Sequence, residues 1–332
     1  MSDKETYQAN PERYNQKMEY NRCGKSGLLF PRLSLGLWHN FGDVDDQKEA
    51  LNMLKYAFDN GITHFDLANN YGTPFGSAEK NFGKMLRKHF SEYRDEMVIS
   101  TKAGHLMWPG PYGDGGSRKY LISSLDQSLS RMKLDYVDIF YSHRYDANTP
   151  IEETMGALSD MVKQGKALYV GISKYPEDKA LEAYKLLKEN GTPCLIHQGR
   201  YSIFSRDIET DTLPALEENG VGFIGFSPLA QGLLSDKYLN GIPENSRAGQ
   251  AHGFLKKEQV SDEMINRVRK LNDIAQRRGQ LLAQMAVAWC FHKPEVTSVI
   301  IGASSTMQLK DNIDALKNTT FTDSELWEIG EV

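Results

Sequence analysis

The amino-acid sequence predicts an α/β protein: a parallel (β/α)8 TIM barrel with an N-terminal β-hairpin and long loops at the C-terminal face. Short apolar runs rich in β-branched and aromatic residues alternate with helix-length stretches in which apolar residues recur every three or four positions. No linker rich in Pro, Gly or Ser interrupts this alternation along the 332 residues. Repeated strand and helix units of this kind favour one closed barrel over a doubly wound sheet divided into two domains.

The composition is that of an ordinary globular protein. Hydrophobic residues make up 40% and charged residues 25%, and the formal net charge is -5. This mildly acidic balance argues against nucleic acid or an anionic membrane as the main partner. The three cysteines, Cys23, Cys194 and Cys290, are far apart and suggest neither a disulfide framework nor a zinc site. We therefore expect no metal and a reducing, cytoplasmic location.

Residues 1–18 are expected to form a polar leader, and residues 19–332 a single barrel domain. The leader lacks the apolar stretch of a secretory signal, and no later run approaches the roughly 18 apolar residues of a membrane span. From Glu19 to Leu33, two short segments flank Gly24 and Gly27, a pattern typical of a β-hairpin. We expect this hairpin to close one end of the barrel.

Strands and helices are predicted in alternation after the hairpin. The predicted strands are Leu33–Leu37, His64–Asp66, Met97–Thr101, Tyr136–Tyr141, Ala167–Ile172, Cys194–Gln198, Gly222–Phe226 and Ser298–Ile301. The predicted helices are Gln47–Asp59, Ala78–Lys88, Arg118–Arg131, Ile151–Lys163, Glu177–Glu189, Leu213–Glu218, Glu263–Arg277 and Thr306–Leu316. Several helices end in a sequence such as Asp59-Asn60-Gly61, where the glycine can adopt the left-handed conformation after the last turn.

Two long connections follow the C-terminal ends of predicted strands, on the face where a (β/α)8 barrel builds its active site. The first runs from Gly104 to Ser117 and carries Trp108 and Tyr112 on a glycine-rich segment. The second runs from Leu229 to Ser261 and carries two basic residues, Lys237 and Arg247.

Four polar residues are predicted to meet at this face. Asp66 ends a strand and Tyr71 lies in the loop that follows, while Lys102 and His143 lie at the ends of the next two strands. A tyrosine hydroxyl has an unperturbed pKa of about 10, so it needs a nearby cation to donate a proton at neutral pH. Each residue alone also has an ordinary structural explanation. Together, at consecutive strand ends of one barrel, the four predict a catalytic site.

Several motifs resemble those of the aldo-keto reductase superfamily. They are GLWHNFG (36–42), FDLANNYG (65–72), GSAE (76–79), STKAG (100–104), DIFYSHR (138–144), GISKY (171–175), FSPLAQGLL (226–234) and IIGASS (300–305). The resemblance extends over residues 19–316. Within the superfamily it points to the group that contains bacterial L-glyceraldehyde 3-phosphate reductases and potassium-channel β subunits.

The resemblance implies NADPH-dependent reduction of short-chain aldehydes, such as L-glyceraldehyde 3-phosphate or methylglyoxal. Tyr71 would donate the proton as hydride arrives from the nicotinamide, with Lys102 stabilising the phenolate. Asp66 would hold Lys102 in place, and His143 would orient the carbonyl oxygen. The sequence leaves open an alternative, a redox-sensing binding protein like a channel β subunit, with slow residual reductase activity. A homo-oligomer is compatible with either.

NADP(H) is the cofactor that the resemblance implies. The resemblance assigns Ser173 and Gln198 to the nicotinamide carboxamide, and Phe226 to the face of the nicotinamide ring. The other expected contacts are Trp38, Asp66, Ser227, Leu229, Gln231, Lys237, Arg247, Gly302, Ser304, Gln308, Asp311 and Asn312. Many relatives carry a basic residue at the position of Ser305 or Gln308, so we expect the preference for NADP over NAD to be modest.

Aromatic and basic side chains are expected to line the substrate pocket: Trp38, Trp108, Tyr112 and Arg144. Arg144 at a strand end, or Arg118 after the glycine-rich lid, could contact a phosphate group on the substrate. An arginine at the rim of a barrel more often pairs with a neighbouring carboxylate, here Asp146 or Asp114. We expect such pairing rather than a phosphate clamp.

Overall fold

The structure, a computed structural model of the chain, describes residues 7–15, 18–239, 241–243, 255 and 260–332. It contains an antiparallel hairpin and a closed barrel of parallel strands. The hairpin strands are β1 (Tyr20–Arg22) and β2 (Leu29–Pro31). The barrel strands are β3 (Leu33–Gly36), β4 (His64–Asp66), β5 (Val98–Ala103), β6 (Val137–Ser142), β7 (Ala167–Ser173), β8 (Ile196–Arg200), β9 (Gly222–Phe226) and β10 (Val296–Ile301). The last strand closes the barrel, because β10 pairs in parallel with both β9 and β3.

Helices surround the barrel. They are α1 (Gln47–Asp59), α2 (Ser77–His89), α3 (Arg118–Met132), α4 (Ile151–Lys163), α5 (Glu177–Glu189), α6 (Thr212–Asn219), α7 (Asp262–Arg277), α8 (Leu282–Trp289), α9 (Thr306–Asp314) and α10 (Asp323–Gly330). The predicted (β/α)8 barrel is confirmed, and α1, α4 and α5 have the predicted ends. The sequence patterns do not predict α8 or α10. The helix α9 ends at Asp314 and continues as a 3₁₀ turn, Ala315–Lys317.

Short polar side chains start several of these helices. Asp46 accepts hydrogen bonds from the backbone N–H groups of Lys48 and Glu49 at the start of α1. Ser117 caps α3, and Ser305 caps α9. Each cap satisfies a backbone donor that has no partner within its own helix. The caps thereby fix where the helices begin after the loops of the C-terminal face.

The hairpin closes the N-terminal end of the barrel, as predicted. Phe30 is fully buried and packs with Ile139, Leu195 and Ile224 in a cluster at the bottom of the barrel. The backbone N–H of Lys25 donates a 2.9 Å hydrogen bond to Gly220 O, the residue that ends α6. The opposite end of the barrel carries the candidate site.

Candidate active site

Asp66, Lys102 and His143 are placed side by side by the parallel register of β4, β5 and β6. Asp66 lies opposite Ser100 on β5, and Lys102 lies opposite Tyr141 on β6. His143 follows the last residue of β6, and its backbone N–H donates a 2.9 Å hydrogen bond to Ala103 O. Neighbouring parallel strands end at the same edge of a sheet, so these side chains share one face of the barrel.

Lys102 and Asp66 form a buried ion pair at the centre of the site. The distance from Lys102 Nζ to Asp66 Oδ2 is 2.6 Å, and the Lys102 side chain is 0% exposed. The ammonium also donates a 2.6 Å hydrogen bond to Leu67 O. Asp66 Oδ1 accepts from Ser100 Oγ at 2.8 Å and from Gln198 Nε2 at 3.2 Å. Burial lowers the pKa of Lys102, while Asp66 opposes this shift. The surrounding hydrogen bonds hold the ammonium in one position.

Tyr71 lies in the loop after β4, with its ring beside this ion pair. Lys102 Nζ is 5.1 Å from the centroid of the ring. The ring centroids of Trp38 and His143 lie 6.1 Å and 5.9 Å from it. Burial, and then the charge of Asp66, raise the pKa of the Tyr71 hydroxyl well above its usual value. The phenol is therefore protonated at neutral pH and has a proton to give.

The imidazole of His143 is neutral at physiological pH. The residue is 6% exposed, and its burial lowers its pKa well below the usual value. The cations Lys102 and Lys174 add to the shift, followed by the neighbouring His105 and Arg144. Within the described residues, His143 Nδ1 has no hydrogen-bond partner. A neutral imidazole can hydrogen-bond a carbonyl oxygen without carrying a charge into the site.

Two further residues at this face, His105 and Lys174, are absent from the sequence-based site. His105 meets His143 edge to face, with ring centroids 4.6 Å apart. Lys174 Nζ is 2.8 Å from His105 Nε2. His105 directly follows the STKAG motif, Lys174 lies within the GISKY motif, and each lies just past a strand end. Their position just past a strand end is the sequence signal that could have placed them at the site.

Ser173 and Gln198, which the resemblance assigns to the nicotinamide carboxamide, lie side by side near Asp66. In the described part of the structure, the hydroxyl of Ser173 is buried without a hydrogen-bond partner, and Ser173 pairs in register with Gln198. A carboxamide is a suitable partner for this hydroxyl and for the amide of Gln198. Phe226 ends β9, and Ser227 follows it with a φ of 60°, a conformation that non-glycine residues seldom adopt. Such backbone conformations are concentrated at functional sites.

The segment that was assigned to the distal half of the cofactor is only partly described. Ser227, Ala230 and Gln231 all have positive φ values, 60°, 45° and 63°, in the turn that follows β9. Leu229 is half-buried in the same turn. Lys237 is exposed in a short 3₁₀ turn, and Arg247 lies outside the described residues.

The start of α9, assigned to the adenosine end, already holds polar contacts of its own. Gln308 Oε1 accepts hydrogen bonds from Ser304 N and Ser304 Oγ, both at 3.0 Å. Glu49 Oε1 on α1 accepts from Thr306 N at 2.7 Å and from Thr306 Oγ1 at 2.9 Å. Gly302 is exposed, Asp311 is half-buried, and Asn312 is buried and donates to Gly302 O at 3.4 Å. The N-terminus of α9 thus carries the carboxylate of Glu49, which no local sequence pattern predicts.

Two of the expected substrate-pocket residues, Trp108 and Tyr112, lie on the lid, residues 104–117. Trp108 packs on Tyr120 with ring centroids 5.3 Å apart. Tyr112 is 57% exposed and faces the ammonium of Lys119. Among the described residues, no ring contact joins Trp108 or Tyr112 to the ring of Tyr71 or His143.

Both arginines considered as phosphate clamps pair with carboxylates. Arg144 donates to Gly104 O at 2.6 Å and to Asp114 Oδ1 at 2.9 Å. Arg118 pairs with Asp160 on α4, a partner that differs from the two considered from the sequence. Asp146 instead accepts hydrogen bonds from Gly116 N and Thr149 Oγ1. The charges of both arginines are therefore largely compensated.

Comparison with known proteins decides the family. Residues 32–332 match the sequence profile of the Aldo/keto reductase family. The chain belongs to the aldo/keto reductase family. The resemblance drawn from its motifs is thereby confirmed, and this aldo/keto reductase is an oxidoreductase.

Curated relatives of this aldo/keto reductase carry two kinds of name. The chain is 57% identical to the L-glyceraldehyde 3-phosphate reductase of Escherichia coli (strain K12) over 327 residues, which cover 97% of this chain and 94% of the relative. It is 38% identical to a probable voltage-gated potassium channel subunit beta of Arabidopsis thaliana over 305 residues, which cover 90% of this chain and 91% of the relative.

The described residues of this aldo/keto reductase offer neither a membrane-spanning helix nor a metal-binding cluster. Across the described ranges, no helix has both the length and the apolar character needed to cross a membrane. The same residues contain no group of three or more His, Cys, Asp or Glu side chains that could hold a metal ion.

Proposed function

We propose that this aldo/keto reductase uses NADPH to reduce short-chain aldehydes, with L-glyceraldehyde 3-phosphate and methylglyoxal as substrates. The observation that carries the proposal is the buried Lys102–Asp66 pair, whose ammonium lies 5.1 Å from the ring of Tyr71. Such a cation is what a phenol needs in order to act as a general acid. The high identity to an L-glyceraldehyde 3-phosphate reductase supports the choice of substrate.

Tyr71 is the proposed proton donor. Its phenol is protonated, and it faces the same space as the neutral imidazole of His143, so both groups can hydrogen-bond one carbonyl oxygen. Lys102 stabilises the phenolate that remains after the proton has moved, and Asp66 holds the ammonium in place. The nicotinamide, when bound, supplies the hydride.

The proposed cofactor contacts lie at the C-terminal ends of the barrel strands and in the loops that follow them. Ser173 and Gln198 hold the carboxamide, and Phe226 offers an apolar platform for the ring. Trp38 lies against Tyr71 at the edge of the same space. The turn after β9 offers backbone N–H groups to the phosphates, and the N-terminus of α9 contributes the positive end of its helix dipole at the adenosine end.

The alternative proposal is a redox-sensing binding protein with slow residual reductase activity. It is favoured only by the 38% identity to a relative named as a channel subunit beta. The geometry of Asp66, Tyr71, Lys102 and His143 suits either function, because a sensor can retain the reductase chemistry. The rate of turnover separates the two.

Steady-state oxidation of NADPH tests the proposal directly. Purified protein is mixed with NADPH and, in turn, with L-glyceraldehyde 3-phosphate, L-glyceraldehyde and methylglyoxal, and the loss of reduced nicotinamide is followed. We expect kcat of about 1 s⁻¹ or above with at least one aldehyde, the lower end of the range for typical enzymes. Tight binding of NADPH without turnover of any aldehyde would contradict the proposal and favour the sensor.

A further inference from the structure

Two cations at the mouth of the site, Lys174 and Arg200, have no carboxylate partner among the residues that the structure describes. Lys174 follows the last residue of β7, and Arg200 ends the neighbouring strand β8. Ser173 and Gln198 are paired in the parallel register, and Lys174 N donates to Gln198 O at 3.1 Å. The two cationic residues therefore emerge from adjacent strands at nearly the same height.

Lys174 is held toward the catalytic residues. It has a φ of 56°, in the left-handed region that a non-glycine residue seldom occupies. Its ammonium donates to His105, which itself contacts the ring of His143. Burial of the amine lowers the pKa of Lys174 to about 8, and the charges that add to this shift, from Lys102, Arg144 and Arg200, are all positive. A site with this excess of positive charge attracts an anion.

Arg200 borders a cleft next to the proposed nicotinamide platform. It lies opposite Phe226 in the register of β8 and β9. The cleft has a volume of about 350 Å³ and is lined by both cations, by Phe226 and by the single carboxylate of Asp207. Within the described residues, Arg200 makes no ion pair, and Asp207 is not within ion-pair distance of either cation. Arg144, in contrast, is compensated by Asp114.

We infer that Lys174 and Arg200 form an anion subsite that binds the phosphate group of the substrate. The inference rests on the proposed function, because it assigns a group of the proposed substrate to the same site. His105 contacts both the ring of His143 and the ammonium of Lys174, so a substrate whose carbonyl oxygen binds at Tyr71 and His143 can extend its phosphate toward Lys174. Because Arg144 and Arg118 are paired with carboxylates, Lys174 and Arg200 supply the charge that would distinguish a phosphorylated aldehyde from an uncharged one.

A phosphate of the cofactor is the competing occupant, since it offers the same chemistry. The position of Lys174 favours the substrate, because this lysine is joined to His143 through His105. The carbonyl must lie beside His143, whereas the cofactor phosphates are proposed to bind at the turn after β9 and at the positive end of α9. The experiment separates the two sources by measuring aldehyde selectivity and cofactor affinity in the same variants.

Lys174→Met is the decisive variant. We expect it to lower kcat/KM for L-glyceraldehyde 3-phosphate by about ten- to hundredfold, mainly through KM, as for one lost charge-assisted hydrogen bond. L-Glyceraldehyde, which lacks only the phosphate, should be reduced as by the wild type. Arg200→Met should also lower kcat/KM for L-glyceraldehyde 3-phosphate and spare L-glyceraldehyde. Lys179→Met is the matched control, because this lysine lies on α5 and pairs with Glu182. It should leave kcat/KM for both aldehydes unchanged.

Other outcomes would overturn the inference. Equal losses on both aldehydes would mean that Lys174 serves only to position His105. A weaker affinity for NADPH, with unchanged aldehyde selectivity, would assign the cations to a cofactor phosphate. If the wild type reduces neither these two aldehydes nor methylglyoxal, the proposed function fails on its own account, and calorimetry with L-glycerol 3-phosphate decides the subsite. Binding that weakens in Lys174→Met supports it, and absent or unchanged binding excludes it.

Discussion

At the scale of single residues, the electrostatics of the site follow from burial. Desolvation is the largest cause of the pKa shifts of Tyr71, Lys102 and His143, and it favours the uncharged form of each side chain. For Tyr71 and His143 the uncharged form is the one that the proposed chemistry requires. Lys102 must instead remain charged for the proposed chemistry. The carboxylate of Asp66, 2.6 Å from the ammonium, stabilises that charged form.

Tyr71→Phe should abolish aldehyde reduction and leave NADPH affinity nearly unchanged, because the hydroxyl acts in the chemical step and not in holding the cofactor. We expect kcat to fall by at least about a hundredfold, the smaller end of the effect of losing a general acid. Steady-state kinetics and fluorescence titration with NADPH measure the two quantities. Turnover above about one hundredth of the wild-type rate would exclude Tyr71 as the proton donor.

Lys102→Met should also suppress reduction, since the phenolate of Tyr71 loses its stabilising cation. In the reverse reaction, alcohol oxidation requires the deprotonated phenol, so the pH at which that rate rises should move upward. The variant leaves Asp66 buried without its partner, a change that typically costs about 3–5 kcal/mol of stability.

The double variant Asp66→Asn/Lys102→Met separates stability from catalysis. We expect it to recover thermal stability relative to Lys102→Met, because no unpaired charge remains buried, and to stay inactive. An unchanged pH profile and a normal rate in Lys102→Met would make the lysine structural.

At the scale of helices and strands, periodicity determined what could be predicted. The amphipathic helices α1, α4 and α5 have the predicted ends, since their apolar residues recur at helical spacing between clear start and stop signals. Six of the eight residues of α8 are buried, so its sequence has no polar face to give a period. The short helix α10 follows the last predicted strand and helix unit, and only its Thr322 and Glu325 capping box marks its start.

The hairpin offers an element-scale prediction about stability. Gly24 has a φ of 52°, and a Cβ added there would lie 2.2 Å from Gly220 O. Gly24→Ala should therefore lower the free energy of unfolding by about 2 to 4 kcal/mol, from left-handed strain and overpacking against backbone. The hairpin is at the opposite end from the site, so kcat of the folded protein should not change.

Gly27→Ala is the control for this prediction. It lies in the same turn, where an added Cβ meets nothing within 4 Å. Its effect should stay below about 1 kcal/mol, the range for a glycine replaced without strain. Denaturant unfolding of both variants measures the difference, and equal stabilities would show that the hairpin does not pack as described.

At the scale of the whole molecule, chain order decided which parts of the site could be foreseen. Asp66, Tyr71, Lys102 and His143 come from consecutive strands, so one rule about strand ends brings them together. The pocket at Ser173 and Gln198 was assigned only through family resemblance, because a buried hydroxyl without a partner is visible only in three dimensions. Closure of the barrel brings Glu49 on α1 to Thr306 on α9, 257 positions later, and no local pattern predicts that contact.

This long-range contact bears on cofactor preference. The backbone N–H of Thr306, at the positive end of α9, already donates to the Glu49 carboxylate, and that bond is the largest cause of the lowered pKa of Glu49. A 2'-phosphate at Ser304 and Ser305 would approach this negative charge. We therefore expect the wild type to bind NADPH only modestly more tightly than NADH, and Ser305→Arg to increase the preference through charge-assisted bonds.

Glu49→Gln tests the contact itself, because glutamine keeps an oxygen for Thr306 and removes the charge. We expect the ratio of NADPH to NADH affinity to rise by about two- to fivefold, the value of one charge near a helix N-terminus, while NADH affinity stays the same. Fluorescence titration with both nucleotides measures the ratio, and the gain should shrink at high salt. Glu152→Gln, which removes an exposed carboxylate from the first turn of α4, should leave the ratio unchanged. A ratio that is equally insensitive to Glu49→Gln would mean that the 2'-phosphate binds away from the start of α9.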